Sequence, residues 1–184
     1  MLGQFFSSFN REKGSGRTIL GIDIGSYWIK VMEFRLTGTG PEIKGLAKKE
    51  LPLELRKAGR DPEAVAELIK ECLAEGNISA RDVVVMVSGP QVFIRRITMP
   101  PMPPEELDEV IPYEASKQVS FSVEQLEVDY TIVGEKEVKG VINQDILLVA
   151  AHKDVVEQQK SIISAAGLRT VAVTVAPMVL WKSN

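Results

Sequence analysis

Gly21-Ile22-Asp23-Ile24-Gly25-Ser26 is followed almost at once by the apolar-rich run Trp28-Ile29-Lys30-Val31-Met32-Glu33-Phe34. The pattern predicts a buried strand, Ile19 to Ile24, entering a tight glycine turn from which a second strand leaves. Such a turn points successive backbone N–H groups into one concavity, which suits a phosphate. Asp23, at its mouth, is a hard oxygen ligand able to hold a hydrated Mg²⁺. Lys30 brings a point charge to the same place. Neither familiar phosphate loop is present, because both open a helix and here a strand follows the turn. An ordinary hairpin, in which Asp and Gly serve the turn alone, accounts for the same six residues. At this point both readings stand.

Working outward, the spacing predicts strands over Thr18–Ile24, Trp28–Arg35 and Glu42–Leu51, the last two joined through Thr37-Gly38-Thr39-Gly40-Pro41. Three consecutive antiparallel strands favour an α/β domain with a mixed sheet. A helix follows over Pro62–Glu75, with Asp61 as N-cap, Pro62 at the first position and Gly76 as the stop. Val65, Leu68, Ile69, Cys72 and Leu73 fall on one face of it. Val83-Val84-Val85-Met86-Val87 is apolar without alternation, so the expectation is a strand covered on both faces.

The character changes at Val92. A half-exposed strand, Val92 to Thr98, runs into Met99-Pro100-Pro101-Met102-Pro103-Pro104. This run reads as a stiff connector rather than a PxxP ligand, since prolines commonly precede a helix. The helix that starts at Pro104 carries Leu107, Ile111 and Ala115 inward, and Pro112 is expected to kink or divide it. Strands over Gln125–Val133 and Asp145–Ala151 bracket a turn-like Gly134–Asn143. A helix over Asp154–Ala166, stopped by Gly167, and a strand over Leu168–Val175 complete the pattern. Residues 92–167 therefore read as a small α+β unit inserted into the first domain, which would hold 18–91 and 168–184. Residues 1–17 read as a loose N-terminal arm with a Phe5, Phe6 and Phe9 cluster.

A length of 184 residues suits one domain or two small ones, and 45% hydrophobic with 26% charged residues supports a packed core. The net charge of −3 argues against a dedicated nucleic-acid binder. The single Cys72 excludes a disulfide framework and reads as a buried thiol. No apolar run approaches the roughly 18 residues of a membrane span, and the N-terminus is not a signal peptide. The expected location is cytoplasmic.

These pieces resemble the actin-like ATPase superfamily. Gly21-Ile22-Asp23-Ile24-Gly25-Ser26 with Lys30 is similar to its first phosphate motif, and the strand–strand–strand–helix–strand order is its pattern. Within it the chain resembles the PilM family of type IV pilus assembly. The matching stretches are Leu20 to Ser26, Ile29 to Glu33, Arg95-Arg96-Ile97-Thr98-Met99-Pro100, Pro103 to Leu107, Ile111, Glu114-Ala115 and Val128-Asp129-Tyr130. The phosphate motif is shared with FtsA, sugar kinases and Hsp70 proteins. The Arg-x-x-x-x-Pro segment leading into an acidic helix is the more specific feature.

The resemblance implies the α/β first half of an actin-like (ribonuclease-H-like) fold, with an inserted subdomain of the FtsA type. It implies ATP with Mg²⁺, Asp23 facing the metal through water, and the N–H groups of Gly25, Ser26 and Tyr27 on the β- and γ-phosphates with Lys30 assisting. Tyr27 and Trp28 replace the small polar residues common in relatives at these positions. The implied partners are a PilN-like inner-membrane pilus protein, docked through its short cytoplasmic peptide, and other pilus assembly proteins. The implied place is the inner face of the inner membrane. Residues 177–184 read as the start of a helix joining two halves of an ATP clamp, so the expectation for this chain alone is little ATPase activity and no catalytic residue. An FtsA-like division protein, a sugar or acid kinase and a nucleotide-free interaction module are the alternatives.

Other chemistry is poorly supported. His152 is the only histidine and lies between a strand and a helix, where a cap or surface role is expected. Glu105, Glu106, Asp108 and Glu109 read as a solvated acidic helix start. Lys48, Lys49, Arg56, Lys57 and Arg60 read as a solvated loop or a surface for an anionic partner.

Overall fold

Alternating apolar residues build three antiparallel strands ahead of the first helix: β1 (Thr18–Ile24), β2 (Trp28–Thr37) and β3 (Gly40–Glu50). The computed structural model describes residues 16–57, 59–138 and 140–175. Two parallel strands, β4 (Asp82–Val87) and β8 (Arg169–Val175), extend the sheet in the order β3-β2-β1-β4-β8. Val31, Ile22, Val85 and Val173 are consecutive neighbours across four of these strands. All four are buried, and each such side chain contributes about 1.5–3 kcal/mol by leaving water.

Helix α1 (Pro62–Glu75) starts as its sequence requires: the Asp61 carboxylate accepts the Glu63 N–H, and Pro62 occupies the first position. Val65, Ala66, Ile69, Cys72 and Leu73 form its buried face. Gly76 ends the helix as expected, but not in the left-handed conformation common for a glycine cap. Its φ is −82° and the left-handed residue is Asn77, at φ 51°. The glycine is needed for closeness instead, since a Cβ there would stand 3.0 Å from both the Ala47 Cβ and the Ile78 Cδ1. Between α1 and β4, the Ser79 and Ala80 N–H groups both donate to the buried Glu33 carboxylate of β2. This satisfies two loop donors that the sheet cannot reach.

β4 differs from expectation. Val83, Val85 and Val87 are buried while Asp82, Val84 and Met86 are only partly so. An unbroken valine run therefore does not mean two covered faces; β-branched residues also suit the half-covered face of a sheet.

The chain divides by its contacts into two units, one of them Gly89–Val155 and the other the described residues on either side of it. The first of these contains β5 (Val92–Met99), α2 (Pro104–Gln118), β6 (Leu126–Val138) and β7 (Val141–His152), with sheet order β5-β7-β6, antiparallel throughout. Its core gathers Met99, Leu107, Ile111, Ala115, Leu126, Ile146, Leu148 and Ala150. The partly buried Met102 packs against this cluster, so the proline-rich stretch is a connector whose methionines face inward. Pro112 lies inside one continuous helix rather than dividing it. The residues flanking it on the inner face, Leu107, Ile111 and Ala115, are all buried, which holds both halves to the sheet.

The segment Gly134–Asn143, expected as a turn, is mostly strand. β6 and β7 continue as a two-stranded hairpin, pairing Lys136 with Asn143 and Val138 with Val141. A ribbon that buries neither face has no reason to alternate, so its charged residues concealed it. The last helix, α3 (Lys153–Ala165), was assigned by sequence to the inserted segment of 92–167. The division instead falls at its first turn, after Val155, and the rest of the helix groups with the other unit, burying Val156, Gln159, Ile162 and Ile163.

The aromatic arm and the joining helix at 177–184 lie outside the described residues, except that Gly16 and Arg17 extend the sheet. The Gly16 N–H donates to the Leu36 carbonyl at 2.9 Å, and the Leu36 N–H to the Arg17 carbonyl.

Candidate functional site

The turn between β1 and β2 has three residues, Gly25, Ser26 and Tyr27, and four interactions fix its shape. The Gly25 N–H donates to the Trp28 carbonyl at 3.0 Å, closing the loop. A Cβ on Gly25 would stand 3.2 Å from that same oxygen, which is why a glycine is needed here. The Leu51 N–H donates to the Tyr27 carbonyl at 2.8 Å, anchoring the far side to the end of β3. The Arg60 Nη1 donates to the Gly25 carbonyl at 2.9 Å. The Lys30 Nζ reaches the Asp23 Oδ2 at 3.2 Å, as expected for side chains directly opposite on paired strands.

Each residue singled out by sequence can now be placed. Asp23 and Lys30 are brought together as an ion pair, Asp23 mostly covered and Lys30 64% exposed. Ser26 and Tyr27 are exposed at the tip, and their N–H groups take no part in the β1–β2 ladder or in the closing bond. Gly25 is different. Its N–H is already committed to Trp28, so the free donors at this turn are two, not the three named above.

The aromatic residues at the end of the turn, Tyr27 and Trp28, each lie beside a cation. Arg56 lies 5.0 Å from the Tyr27 ring and Lys48 lies 5.1 Å from that of Trp28. Arg56 also pairs with Glu50 and donates to the Leu51 carbonyl. Lys49 is held between Glu71 and Glu75 of α1, whose hydrogen bonds raise its pKa. These basic residues are therefore not a loose solvated cluster. Arg60 departs furthest from expectation, being partly buried with a pKa lowered by that burial. No local rule would have found it; the only sequence signal was a position just ahead of the helix cap.

The remaining candidates are structural. The His152 Nδ1 accepts the Asp154 N–H at 3.3 Å, capping α3, and its ring packs edge-on against Phe121. Asp108 accepts the Tyr130 hydroxyl at 2.9 Å, which ties α2 to β6. Cys72 is buried, which raises its thiol pKa. Arg96, from the more specific stretch of the sequence, forks onto Asp145 across the small sheet; the Arg96 hydrogen bond lowers the carboxyl pKa. No group of three or more metal-binding side chains occurs among the described residues. Asp23 would be a lone protein ligand. That suits Mg²⁺, which keeps most of its waters and takes one or two carboxylates plus phosphate oxygens.

A family model of the type IV pilus assembly protein PilM matches residues 21–181. The structure of a PilM-PilN type IV pilus biogenesis complex superposes with a TM-score of 0.75 at 31% identity, over 86% of this chain and 47% of that one. The cytoplasmic domain of EpsL, an inner membrane component of the type II secretion system of Vibrio cholerae, superposes with a TM-score of 0.54 at 15% identity, over 86% of this chain and 57% of that one. The chain thus spans about half the length of either. These likenesses bear out the expected α/β class.

Proposed function

This chain belongs to the PilM family of type IV pilus assembly proteins, and from that premise we propose that it is the phosphate-binding half of an ATP-binding scaffold in the cytoplasm. In this reading the scaffold docks the short cytoplasmic peptide of a PilN-like inner-membrane protein and is thereby recruited to the inner face of that membrane. The observation that carries the nucleotide part is the turn itself. Two uncommitted N–H groups, Ser26 and Tyr27, stand beside a carboxylate and an ammonium 3.2 Å apart. Backbone amides and a lysine suit phosphate oxygens. Asp23 suits a water of a hydrated Mg²⁺, and the metal, when bound, supplies charge neutralisation to the phosphates. For Lys30 to reach a phosphate it must leave Asp23, and its exposure permits that swing. The reading is of binding, with hydrolysis by this chain weak at most.

The partner follows from the family and from the relative seen in complex with PilN. No helix among the described residues is long and apolar enough to cross a membrane. A nucleotide-free interaction module is the second reading. It is favoured by the commitment of the Gly25 N–H to the turn and by the pairing of Asp23 with Lys30.

Calorimetric titration of the intact protein with MgATP decides between them. The expected result is saturable binding, weakened tenfold or more by Lys30→Ala and made independent of Mg²⁺ by Asp23→Ala. Absence of binding at millimolar nucleotide, with peptide capture retained, would establish the second reading.

A further inference from the structure

We propose that Arg60 is a positioning residue for the phosphate turn, gripping the Gly25 carbonyl so that the Ser26 N–H is aimed and strengthened as an anion donor. The proposal rests on the reading above, that this turn meets phosphate. The Gly25 carbonyl and the Ser26 N–H are two ends of one planar trans peptide unit and point in opposite directions. A hydrogen bond from the Arg60 Nη1 at 2.9 Å therefore fixes one end and orients the other. The donor is a cation, which makes the bond stronger than one between neutral groups. Bonds in series also polarise one another, so an amide whose carbonyl is bonded to a guanidinium is a better N–H donor.

The surrounding contacts explain why this peptide unit needs its own anchor. The Gly25 N–H is held by Trp28, and the Tyr27 carbonyl is held by Leu51. The Gly25–Ser26 unit lies between these two fixed points, and Arg60, 35 residues further along the chain, supplies its anchor. The anchor is costly. The Nε of Arg60 is buried with no hydrogen-bond partner, and an unmade bond of a buried charged group is unfavourable. A guanidinium serving only as a solvated surface charge would turn that atom to water. Arg60 also directly precedes Asp61, the cap of α1, so the turn is tied to the start of a helix rather than to a free loop.

The test compares Arg60→Met, which keeps an apolar stem and removes the bond, with Arg60→Lys and Arg60→Gln, which retain a donor. Two readouts are taken on the intact protein: the exchange rate of the Ser26 amide without nucleotide, and the affinity for MgATP. The Ser26 N–H has no backbone partner to lose among the described residues. Arg60→Met is therefore expected to slow its base-catalysed exchange at least fivefold, by removing the polarising cation from the same peptide unit, and to weaken MgATP about tenfold. Arg60→Lys should restore most of both, which a general packing defect would not allow. Should Arg60→Met fail to fold, Arg60→Gln carries the test: its neutral donor polarises the peptide unit less than a guanidinium does, and Ser26 exchange should again be slower than wild type by more than twofold. Ser26 exchange within twofold of wild type in folded Arg60→Met, or in Arg60→Gln where that variant carries the test, overturns the proposal, whatever the nucleotide does. Wild-type protein that does not bind MgATP overturns the phosphate reading instead, and the exchange result then decides the role of Arg60 alone.

Discussion

Asp82 shows how one side chain holds three strands in register. It opens β4, and its carboxylate accepts from Arg17, just ahead of β1, at 3.0 Å and from Arg169, the first residue of β8, at 2.6 Å. Burial alone would raise its pKa, but the two guanidinium hydrogen bonds outweigh that and lower it. The sign of the resulting pH dependence is fixed. A carboxyl with a lower pKa folded than unfolded stabilises fully above the unfolded value, near 3.9 for Asp. That contribution is lost as pH falls through the depressed folded value. Denaturant titrations from pH 7 to pH 2 should show a loss of stability in the acid range that is smaller in Asp82→Asn. An unchanged acid profile in that variant would remove the clamp from the account. Nothing local in the sequence pointed to Asp82, because its two partners are 65 and 87 residues away. Asp23 and Lys30 were legible because a tight turn makes near neighbours in sequence face each other in space.

Among the elements, α1 was the most legible and the β6–β7 hairpin the least, and burial explains both. Helix α1 carries its signals locally: an acidic cap, a proline at its first position, and apolar residues at helical spacing on the face that is buried. The hairpin tip buries nothing, so no periodicity marked it, and Glu135, Lys136 and Glu137 read as loop although each pairs with β7. Turn length and the residue types around Gly25 were readable in the same local way, whereas the commitment of its N–H was not, since that depends on where the Trp28 carbonyl comes to lie. The cap of α1 offers a direct check of the local argument. Asp61→Ala leaves the Glu63 N–H without its acceptor and should cost about 0.5–2 kcal/mol, read as a lower midpoint in thermal melts. Asp61→Ser, which restores an acceptor oxygen, should recover most of that loss. A midpoint unchanged in the alanine variant would mean water replaces the cap at no cost.

At the scale of the whole molecule, the chain builds two separate apolar clusters, which is why a change of sequence character at Val92 was visible at all. One cluster is the row through Val31, Ile22, Val85 and Val173 with the inner face of α1. The other gathers Met99, Leu107, Ile111, Ala115, Leu126, Ile146, Leu148 and Ala150 within Gly89–Val155. The contacts divide the chain at Gly89 and after Val155, inside α3, whose helical pattern either core can use. Two cores predict two patterns of hydrogen exchange. Ile146 is fully buried at the centre of the smaller sheet, and Ile146→Ala should remove about 2–5 kcal/mol from the unit that contains it. In the intact protein, amide protection should then fall throughout β5, β6 and β7, while Leu20–Ile24 and Val83–Val87 keep their wild-type rates. Equal loss in both sets of strands would instead mean that the chain opens as one cooperative body, with the smaller core merely an extension of the larger.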